Sequence, residues 1–373
     1  MLIGVPREIK PQELRVGLTP ESVAELTHRG HQVLVESGAG TGIGAGDGVY
    51  RAAGAQIAEQ AADVYATAEL IVKVKEPQSD ERRMLREGQV LFTYLHLAPD
   101  PDQARDLMAS GAVCLAYETV TDVRGGLPLL RPMSQVAGRM AVQAGACALE
   151  WERGGRGALI GGVPGVAPAR VVILGGGTVG FNAAQMAVGL QADVTLLDRD
   201  PAVLERLSNH FGASVRAVYS NRTTIEEHIY HASLVIGAVL IPGAAAPRLV
   251  TRAHLAEMLP GAVLVDVSID QGGCFETSKP TTHADPTFVK EGIVHYCVAN
   301  MPGAVPHTST YALNNATLPH VLALADKGWR QALRDDPHLR AGLNVCAGRV
   351  THPAVAQALG YPVAAADDLL AGP

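Results

Sequence analysis

The sequence is short of aromatic and charged residues and contains no long apolar run. Only 4% of its 373 residues are aromatic and 18% are charged. Its net charge of −7 at pH 7 supplies no positive field that would attract a phosphate polymer. No uncharged stretch reaches the roughly 18 apolar residues of a membrane span, and the apolar N-terminus is shorter than a signal peptide. We therefore expect that the protein has no nucleic-acid partner and that it is not a membrane protein.

Cysteine is sparse as well. The five cysteines are odd in number and widely scattered: Cys114, Cys147, Cys274, Cys297 and Cys346. Their spacings match neither a metal site nor a redox pair. Reduced thiols fit a cytosol better than an oxidising compartment, so we expect a cytoplasmic protein.

Apolar residues (47%) and glycines (40) are abundant, and the chain is long enough for two domains. Short β-branched runs alternate with helical patterns, which is typical of parallel sheets with crossover helices. The predicted strands form two series, at residues 2–5, 32–36, 69–74, 90–94 and 113–117, and at residues 171–174, 193–197, 234–238, 263–267 and 293–298.

We predict an α/β fold class with two Rossmann-like, doubly wound domains. Residues 1–130 form the first domain together with residues 306–373, because that helical tail is too small for a core of its own. Residues 131–305 form the second, and a small-residue run at 134–151 predicts a long helix that connects the two. Near the N-terminus, Thr19 and Pro20 predict the start of a helix that Gly30 ends.

The segment 170–198 carries the most specific motif. An apolar strand runs into Gly175, Gly177 and Gly180 in Gly-x-Gly-x-x-Gly spacing, a helix follows, and the next strand ends at Asp198. The glycines permit a tight turn, close approach of a diphosphate and close helix packing, while the acid accepts hydrogen bonds from ribose hydroxyls. The segment predicts NAD binding. Arg199 leaves NADP as an alternative cofactor, because an arginine at that position can accommodate a 2′-phosphate.

Reactive side chains follow the strands of both series. Arg15, Lys75, His96 and Glu118 lie after predicted strands of the first domain, and Asp270 lies after one of the second. Because ligands of open α/β sheets lie at the carboxyl ends of strands, we expect a base and two cations to face the nicotinamide. Such a set suits hydride removal from a carbon that bears an amine or a hydroxyl next to a carboxylate.

Each of these residues also has a structural alternative. His96 could be a hydrogen-bonded structural histidine, and Asp270 could cap the turn at Gly272. Arg15 and Lys75, each taken singly, could be solvated surface cations. We expect the side chain of Lys73 to point to solvent.

Six separated segments resemble the L-alanine dehydrogenase family, and the likeness spans essentially the whole chain. They are GVPREIK at residues 4–10, RVGLTP at 15–20, VKVKEP at 72–77, TYLHL at 93–97, RPMS at 131–134 and MPGAVPHTSTY at 301–311. The resemblance implies reversible, NAD-dependent oxidative deamination of L-alanine to pyruvate and ammonium. It also implies a homohexamer with each active site in the cleft between the two domains.

The resemblance assigns roles to individual residues. It implies that Arg15 and Lys75 hold the substrate, that His96 is the general acid/base, and that Asp270 assists the water and carbinolamine steps. The implied cofactor contacts, besides the three glycines, are Ser134, Thr178, Val179, Asp198, Ser220, Val239, Leu240, Val267, Ser268, Ile269, Lys279, Val298, Ala299, Asn300 and Met301.

The sequence departs from the family in a few places. Gln135 replaces a frequent glutamate, and Val203 replaces a frequent cation near the adenosine ribose. A magnesium site of some relatives needs a carboxylate and a histidine near Ala323 and Lys327, and both are missing here. We therefore predict no metal.

Three other interpretations stay open at this point. The chain could be the NAD(H)-binding, hydride-carrying part of a transhydrogenase, although it has Arg15, Lys75, His96 and Asp270 together. It could be a saccharopine- or lysine-type dehydrogenase, which would need a pocket for a longer side chain. It could also be a non-catalytic NAD sensor, which would bind the cofactor without turnover.

Overall fold

A computed structural model describes residues 1–239 and 246–370. The chain divides into two compact units, Met1–Met133 with Val305–Pro373, and Ser134–Ala304. Within the described residues the strands are β1 (Leu2–Val5), β2 (Gln32–Glu36), β3 (Gln56–Ala58), β4 (Leu70–Val72), β5 (Val90–Thr93), β6 (Val113–Ala116), β7 (Arg170–Leu174), β8 (Asp193–Asp198), β9 (Val215–Tyr219), β10 (Leu234–Gly237), β11 (Val263–Asp266), β12 (Thr287–Lys290), β13 (Ile293–Tyr296), β14 (Leu343–Cys346) and β15 (Arg349–Val350).

Helices cover most of the connections between these strands. In the same described ranges they are α1 (Pro20–His28), α2 (Asp47–Ala52), α3 (Ala61–Thr67), α4 (Ser79–Arg82), α5 (Pro101–Ser110), α6 (Arg131–Ala148), α7 (Thr178–Gly189), α8 (Pro201–Phe211), α9 (Arg222–Ile229), α10 (Arg252–Leu255), α11 (Pro306–Lys327), α12 (Trp329–Asp335), α13 (Pro337–Arg340), α14 (Pro353–Leu359) and α15 (Ala366–Leu370). None of them is long and apolar enough to cross a membrane.

The sheet of the first unit has the order β15-β14-β6-β5-β4-β1-β2-β3. Strands β1 to β6 pair in parallel, and β14 and β15 extend the β6 edge in antiparallel fashion. The chain builds outward from β1 to β3 and then returns to the other side of β1 with β4. This reversal opens a crevice at the carboxyl ends of β1 and β4, which is where open α/β sheets bind ligands.

The sheet of the second unit has the order β12-β13-β11-β10-β7-β8-β9, and only β12 pairs in antiparallel fashion. Its chain reverses direction between β7 and β10, so its crevice lies at the carboxyl ends of those two strands. The central strands β10 and β11 are completely buried, as expected of a sheet covered by helices on both faces.

The predicted fold class is confirmed, and every predicted strand is present. Helix α1 also begins as expected: Thr19 Oγ1 accepts a hydrogen bond from the Ser22 amide, and Pro20 is the first helical residue. The sequence analysis missed strands β3, β9, β12, β14 and β15. These are short or mixed in polarity and lie at or near the sheet edges, so they lack the long apolar runs of central strands.

The expectation that Lys73 points to solvent is wrong. Strand β4 ends at Val72 rather than at residue 74, and the Lys73 side chain is fully buried. It forms ion pairs with Glu8 and Glu81. Alternation along the strand suggested an outward position, but parallel strands in a covered sheet are buried on both faces.

His295 on β13 is buried and has a hydrogen-bond partner at each ring nitrogen. Nδ1 lies 3.0 Å from the Ile293 carbonyl oxygen and donates to it, and Nε2 of the neutral ring can accept from the Thr277 hydroxyl at 2.7 Å. The ring stacks on Phe288 with 4.8 Å between centroids. Burial lowers the pKa of His295 below its ordinary value of 6.5.

We predict that His295 makes the protein less stable in mild acid. The unfolded chain binds a proton at this site more readily than the folded protein, so its contribution is complete above pH 6.5 and is lost as the pH falls from there through the lowered folded pKa. Unfolding temperatures measured between pH 8 and 5 should fall less steeply for His295→Gln than for the native protein. The same substitution at the exposed His231 should keep the native slope, and equal slopes for both variants would contradict the assignment.

Candidate active site

The loop after β7 has the geometry of a diphosphate cradle. Gly175 has φ of +103°, and a Cβ atom there would lie 2.8 Å from the Ala238 oxygen. A Cβ at Gly180 would lie 1.8 Å from the Gly175 oxygen, so only glycine permits this close packing of α7. A Cβ at Gly177, by contrast, would meet no atom within 4 Å. The space beside Gly177, in front of the first amides of α7, therefore fits a bound anion.

Asp198 lies beside this loop. One carboxylate oxygen accepts from the Gly176 amide at 2.6 Å and the other from the Asp200 amide at 2.9 Å. Arg206 of α8, which no sequence motif marks, donates to the Gly176 carbonyl oxygen at 2.9 Å. Arg199, which kept NADP open, is exposed. The acid thus sits at the glycine loop with oxygen lone pairs that ribose hydroxyls can also use.

Most of the other expected cofactor contacts lie after neighbouring strands of the same sheet. Ser220 follows β9 and donates its amide to the Asp198 carbonyl oxygen at 2.8 Å. The Ser268 hydroxyl donates to the Val239 carbonyl oxygen at 2.6 Å, which joins the ends of β10 and β11. Residues 298–301 follow β13 and include Asn300, whose φ is +63°. Leu240 lies outside the described residues.

Ser134 lies on α6, and Lys279 lies in the loop before β12. Ser134 lies one turn before Gly138, where α6 packs so tightly on the start of α7 that a Cβ would lie 2.2 Å from the Val179 oxygen. This packing keeps Ser134 in the neighbourhood of the glycine loop. Lys279 is exposed, and its ammonium lies 4.4 Å from the centre of the Phe288 ring.

A buried carboxylate organises the loop that carries Asp270. Asp266 accepts hydrogen bonds from the amides of Ser268, Cys274 and Phe275 at 3.0 to 3.3 Å, and from the Ser278 hydroxyl at 2.6 Å. Burial raises the pKa of Asp266 in spite of these donors.

Asp270 itself is exposed in a short 3-10 helix, Ile269–Gln271. Main-chain bonds close the following turn, with the Gly272 amide on the Ile269 oxygen and the Gly273 amide on the Ser268 oxygen. The alternative interpretation expected the Asp270 carboxylate to cap this turn. The carboxylate is instead presented to solvent by a loop that Asp266 holds.

Arg15 lies in the crevice region of the first unit. It is only 2% exposed, so the alternative of a solvated surface cation is wrong. Its Nε and Nη2 donate to the two oxygens of Glu13 at 2.6 Å each, and Nη1 lies 3.0 Å from the Met133 sulfur. Burial alone would lower the pKa of Arg15, but the bonded Glu13 carboxylate outweighs burial and raises it. Glu13 thus fixes the plane of the guanidinium.

Lys75 follows β4 and is half-buried. Gly17, two residues after Arg15, packs so closely on the end of β4 that a Cβ would lie 2.3 Å from the Val72 oxygen. This contact brings the Arg15 loop to the strand end that carries Lys75. On the other side, the Thr93 hydroxyl donates to the Lys75 carbonyl oxygen at 3.0 Å.

His96 lies just beyond β5 in a backbone conformation that non-glycine residues rarely adopt, with φ of +48°. Its amide donates to Glu118 Oε1 at 2.6 Å, and the Leu95 amide lies 3.2 Å from both oxygens of the same carboxylate. Glu118 follows β6, the neighbouring strand, and therefore stabilises this turn from the side.

The ring of His96 stacks on Tyr94 at 5.7 Å, with Nδ1 4.0 Å from Glu118 Oε1. The side chain is 44% exposed. A structural histidine that is buried and fully hydrogen-bonded would not have 44% of its side chain exposed and Nδ1 as far as 4.0 Å from Glu118 Oε1. The ring is therefore accessible to solvent and to a ligand in the crevice.

The first unit thus gathers a buried arginine, a half-buried lysine and an exposed histidine at one edge of its sheet. The second unit is a doubly wound sheet with a glycine loop and an acid at the end of its second strand. These features define a two-domain α/β protein of the nucleotide-dependent dehydrogenase class.

Comparison with known proteins identifies the family. Models of the alanine dehydrogenase/PNT N-terminal and C-terminal domains match residues 4–137 and 141–353. Alanine dehydrogenase of Halomonas elongata is 58% identical over 99% of this chain and 100% of its own, and alanine dehydrogenase of Mycolicibacterium smegmatis is 53% identical over 100% of both. The chain belongs to the alanine dehydrogenase/PNT family, as its sequence motifs predicted.

Solved structures agree with this membership. An L-alanine dehydrogenase has a TM-score of 0.94 and 52% identity, and the match covers 96% of this chain and 99% of that one. A transhydrogenase from Sinorhizobium meliloti has a TM-score of 0.83 and 25% identity, over 94% of this chain and 100% of that one. Both matches span the two units of the fold.

We predict that Gly177→Ala weakens dinucleotide binding without destabilising the fold. The added methyl meets no protein atom and suits the backbone at φ of −67°, but it enters the space in front of the α7 amides. The Kd for NADH, measured by fluorescence titration, should rise about tenfold or more, because the second glycine of such loops admits the diphosphate. Gly189→Ala, at the other end of α7 and equally open, is the matched control. Unchanged NADH binding by Gly177→Ala would show that the diphosphate lies elsewhere.

Proposed function

We propose that this protein catalyses the reversible oxidative deamination of L-alanine, in which L-alanine, NAD and water give pyruvate, ammonium and NADH. One observation carries the proposal. Arg15, Lys75 and His96 converge on one crevice edge in a chain that is 58% identical, over nearly its whole length, to an alanine dehydrogenase. The transhydrogenase alternative has weaker support, since the match to that structure has half the sequence identity.

The glycine loop of the second unit suits the cofactor. Gly175, Gly177 and Gly180 would admit the diphosphate to the amides of α7, and Asp198 would accept hydrogen bonds from the adenosine ribose. The negative charge of Asp198 opposes a 2′-phosphate, so we propose NAD rather than NADP. When bound, NAD supplies a hydride acceptor.

Two cations of the first unit would hold the substrate. Arg15 has part of its guanidinium engaged by Glu13, which orients the group before any substrate arrives. A guanidinium so oriented is suited to the planar carboxylate of alanine or pyruvate. Lys75 would bind the carbonyl end, and its positive charge would stabilise negative charge that develops on the carbonyl oxygen.

His96 would move the protons. In the direction of deamination, loss of one proton from the ammonium group of alanine and of a hydride from Cα leaves a cationic imine. Water then adds to that carbon and gives up a proton, and the resulting carbinolamine releases ammonia as its hydroxyl proton leaves. We propose that His96 accepts the proton of the water and returns one to the departing nitrogen. Asp270 would orient the water and stabilise the cationic imine.

The proposal also covers the substrates, the oligomeric state and the cellular location of the protein. The substrates are small molecules, and a homohexamer and a cytoplasmic location stay predictions. All five cysteines are free thiols, in keeping with a reducing compartment.

Purified protein is predicted to reduce NAD when L-alanine is added at alkaline pH, and to oxidise NADH when pyruvate and ammonium are added. Absorbance at the NADH band follows both directions. Protein that binds NADH but shows neither reaction would support the NAD-sensor alternative and contradict the proposal.

The matched control for this assay is His96→Gln. It should bind NADH like the native protein, but its turnover should fall by about 10²-fold or more. Positioned acid/base catalysis typically contributes a factor of about 10² to 10⁴ to the rate. Activity within a few-fold of the native rate would mean that His96 is structural and that another group moves the protons.

A further inference from the structure

A cluster of three charged residues is buried beneath the crevice edge of the first unit. Lys73 is fully buried, and the side chains of Glu8 and Glu81 are each 2% exposed. The Lys73 ammonium lies 3.1 Å from Glu8 Oε2 and 2.6 Å from Glu81 Oε1. We call this set the Lys73 cluster. Charges this deep are costly unless each is paired, and buried ion pairs of this kind are weak devices for stability alone.

The two carboxylates differ in what else they bind. Glu81 accepts from the Gln78 amide at 2.7 Å and from the Tyr65 hydroxyl at 3.2 Å, so it caps the start of α4. Glu8 Oε1 accepts from the Val74 amide at 2.7 Å, with the Lys75 amide 3.4 Å away. Glu8 therefore contacts the main chain of Lys75, whereas Glu81 contacts the start of its own helix α4 and Tyr65.

The reason that Glu8 occupies this place lies in the strand pairing. The ladder between β1 and β4 ends at the pair Gly4 and Ile71, because the chain leaves the sheet after Val5. Val74 and Lys75 lie beyond the end of β4 at Val72, so their amides fall outside the ladder of the sheet and need another acceptor. On the β5 side pairing continues, with the Tyr94 amide on the Val74 carbonyl oxygen at 3.3 Å. The carboxylate of Glu8 takes the place of the missing strand.

Both partners of the pair have perturbed pKa values. Burial raises the pKa of Glu8, although Lys73 opposes that change. Burial would lower the pKa of Lys73, but the two carboxylates outweigh it and raise the pKa. The ammonium therefore stays charged and holds Glu8 Oε2, which leaves Oε1 directed at the Val74 and Lys75 amides.

We infer that Glu8, oriented by Lys73, is a positioning residue for Lys75, which it acts on through the main-chain amides of residues 74 and 75. This inference rests on the proposed role of Lys75 in binding the substrate. Without Glu8, the segment of residues 74 and 75 after β4 could move, and the Lys75 ammonium would move with it. A displacement of about 1 Å at a binding group can cost about 10²-fold in rate.

The experiment compares Glu8→Gln with Glu81→Gln. Both remove one carboxylate charge from Lys73 at equal burial, so both should lower the unfolding temperature by similar amounts. Only Glu8→Gln alters the acceptor of the Lys75 segment: the glutamine has a single oxygen, the Lys73 ammonium requires it as an acceptor, and the NH2 group then faces the amides of residues 74 and 75. We expect it to raise KM for pyruvate about tenfold or more, with Kd for NADH within twofold of native, whereas Glu81→Gln should raise KM no more than about threefold. Equal KM values for the two variants would overturn the inference.

Lys75→Met supplies the second arm. If Glu8 acts through Lys75, then Glu8→Gln added to Lys75→Met should change kcat/KM by less than about twofold, since coupled residues are not additive. Independent, multiplying effects would overturn the inference. If Lys75→Met alone leaves KM for pyruvate unchanged, the proposed role of Lys75 fails instead, which separates the two failures.

Folding of the variants is checked by unfolding temperature and by NADH binding. If Glu8→Gln does not fold, the comparison uses Glu8→Met and Glu81→Met, each combined with Lys73→Met, because this change removes both acceptor oxygens together with the ammonium left with one partner. The same difference in KM is expected. Equal KM values in that pair would likewise overturn the inference.

Discussion

The reactive groups of this protein depend on one recurring interaction, a carboxylate that accepts hydrogen bonds from main-chain amides where a strand has ended. Glu8 meets the amides of residues 74 and 75, Glu118 those of 95 and 96, Asp198 that of 176, and Asp266 that of 268. At the carboxyl edge of a parallel sheet the ladder stops, and amides left there need another acceptor. Hydrogen bonds to charged acceptors are the stronger kind, worth about 1.5 to 3 kcal/mol each.

These hydrogen bonds explain how loops that follow the strands can fix the positions of reactive side chains. His96 has a strained left-handed backbone, which persists only when its surroundings impose it. Glu118 imposes it by accepting hydrogen bonds from the amides of Leu95 and His96. Asp270 is exposed on a short helix, but the loop beneath it is tied at several points to Asp266. In both cases the side chain proposed to take part in catalysis faces solvent, while its main chain is fixed by hydrogen bonds to a neighbouring carboxylate.

The sequence predicted the parts that depend on local pattern. The glycine motif needs a strand before it, a helix after it and an acid at the next strand end, and all of these lie within residues 170–198. Strand ends also located Arg15, Lys75 and His96 at one edge, because a parallel sheet puts its carboxyl ends together. The family motifs then assigned a function that neither spacing nor composition could choose.

What the sequence did not reveal are contacts between residues far apart in the chain. Glu8 and Lys73 are separated by 65 positions, and no local pattern tells that the lysine is buried beside the glutamate. No sequence motif marks Glu13, two residues before Arg15, and only the fold shows that the two side chains form a buried bidentate pair. Glu118 was recognised as a strand-end acid, while its bonds to the amides of residues 95 and 96 required the neighbouring strand to be in place.

The most direct test of this account is amide hydrogen exchange at Leu95 and His96. In Glu118→Ala these amides lose their acceptor, and we predict that both exchange about tenfold faster or more, since a loss of about 1.4 kcal/mol is a factor of ten. The Leu91 amide, inside β5, should keep its native rate. If Leu95 and His96 exchange at native rates in the folded variant, the carboxylate does not hold this turn and the account is wrong.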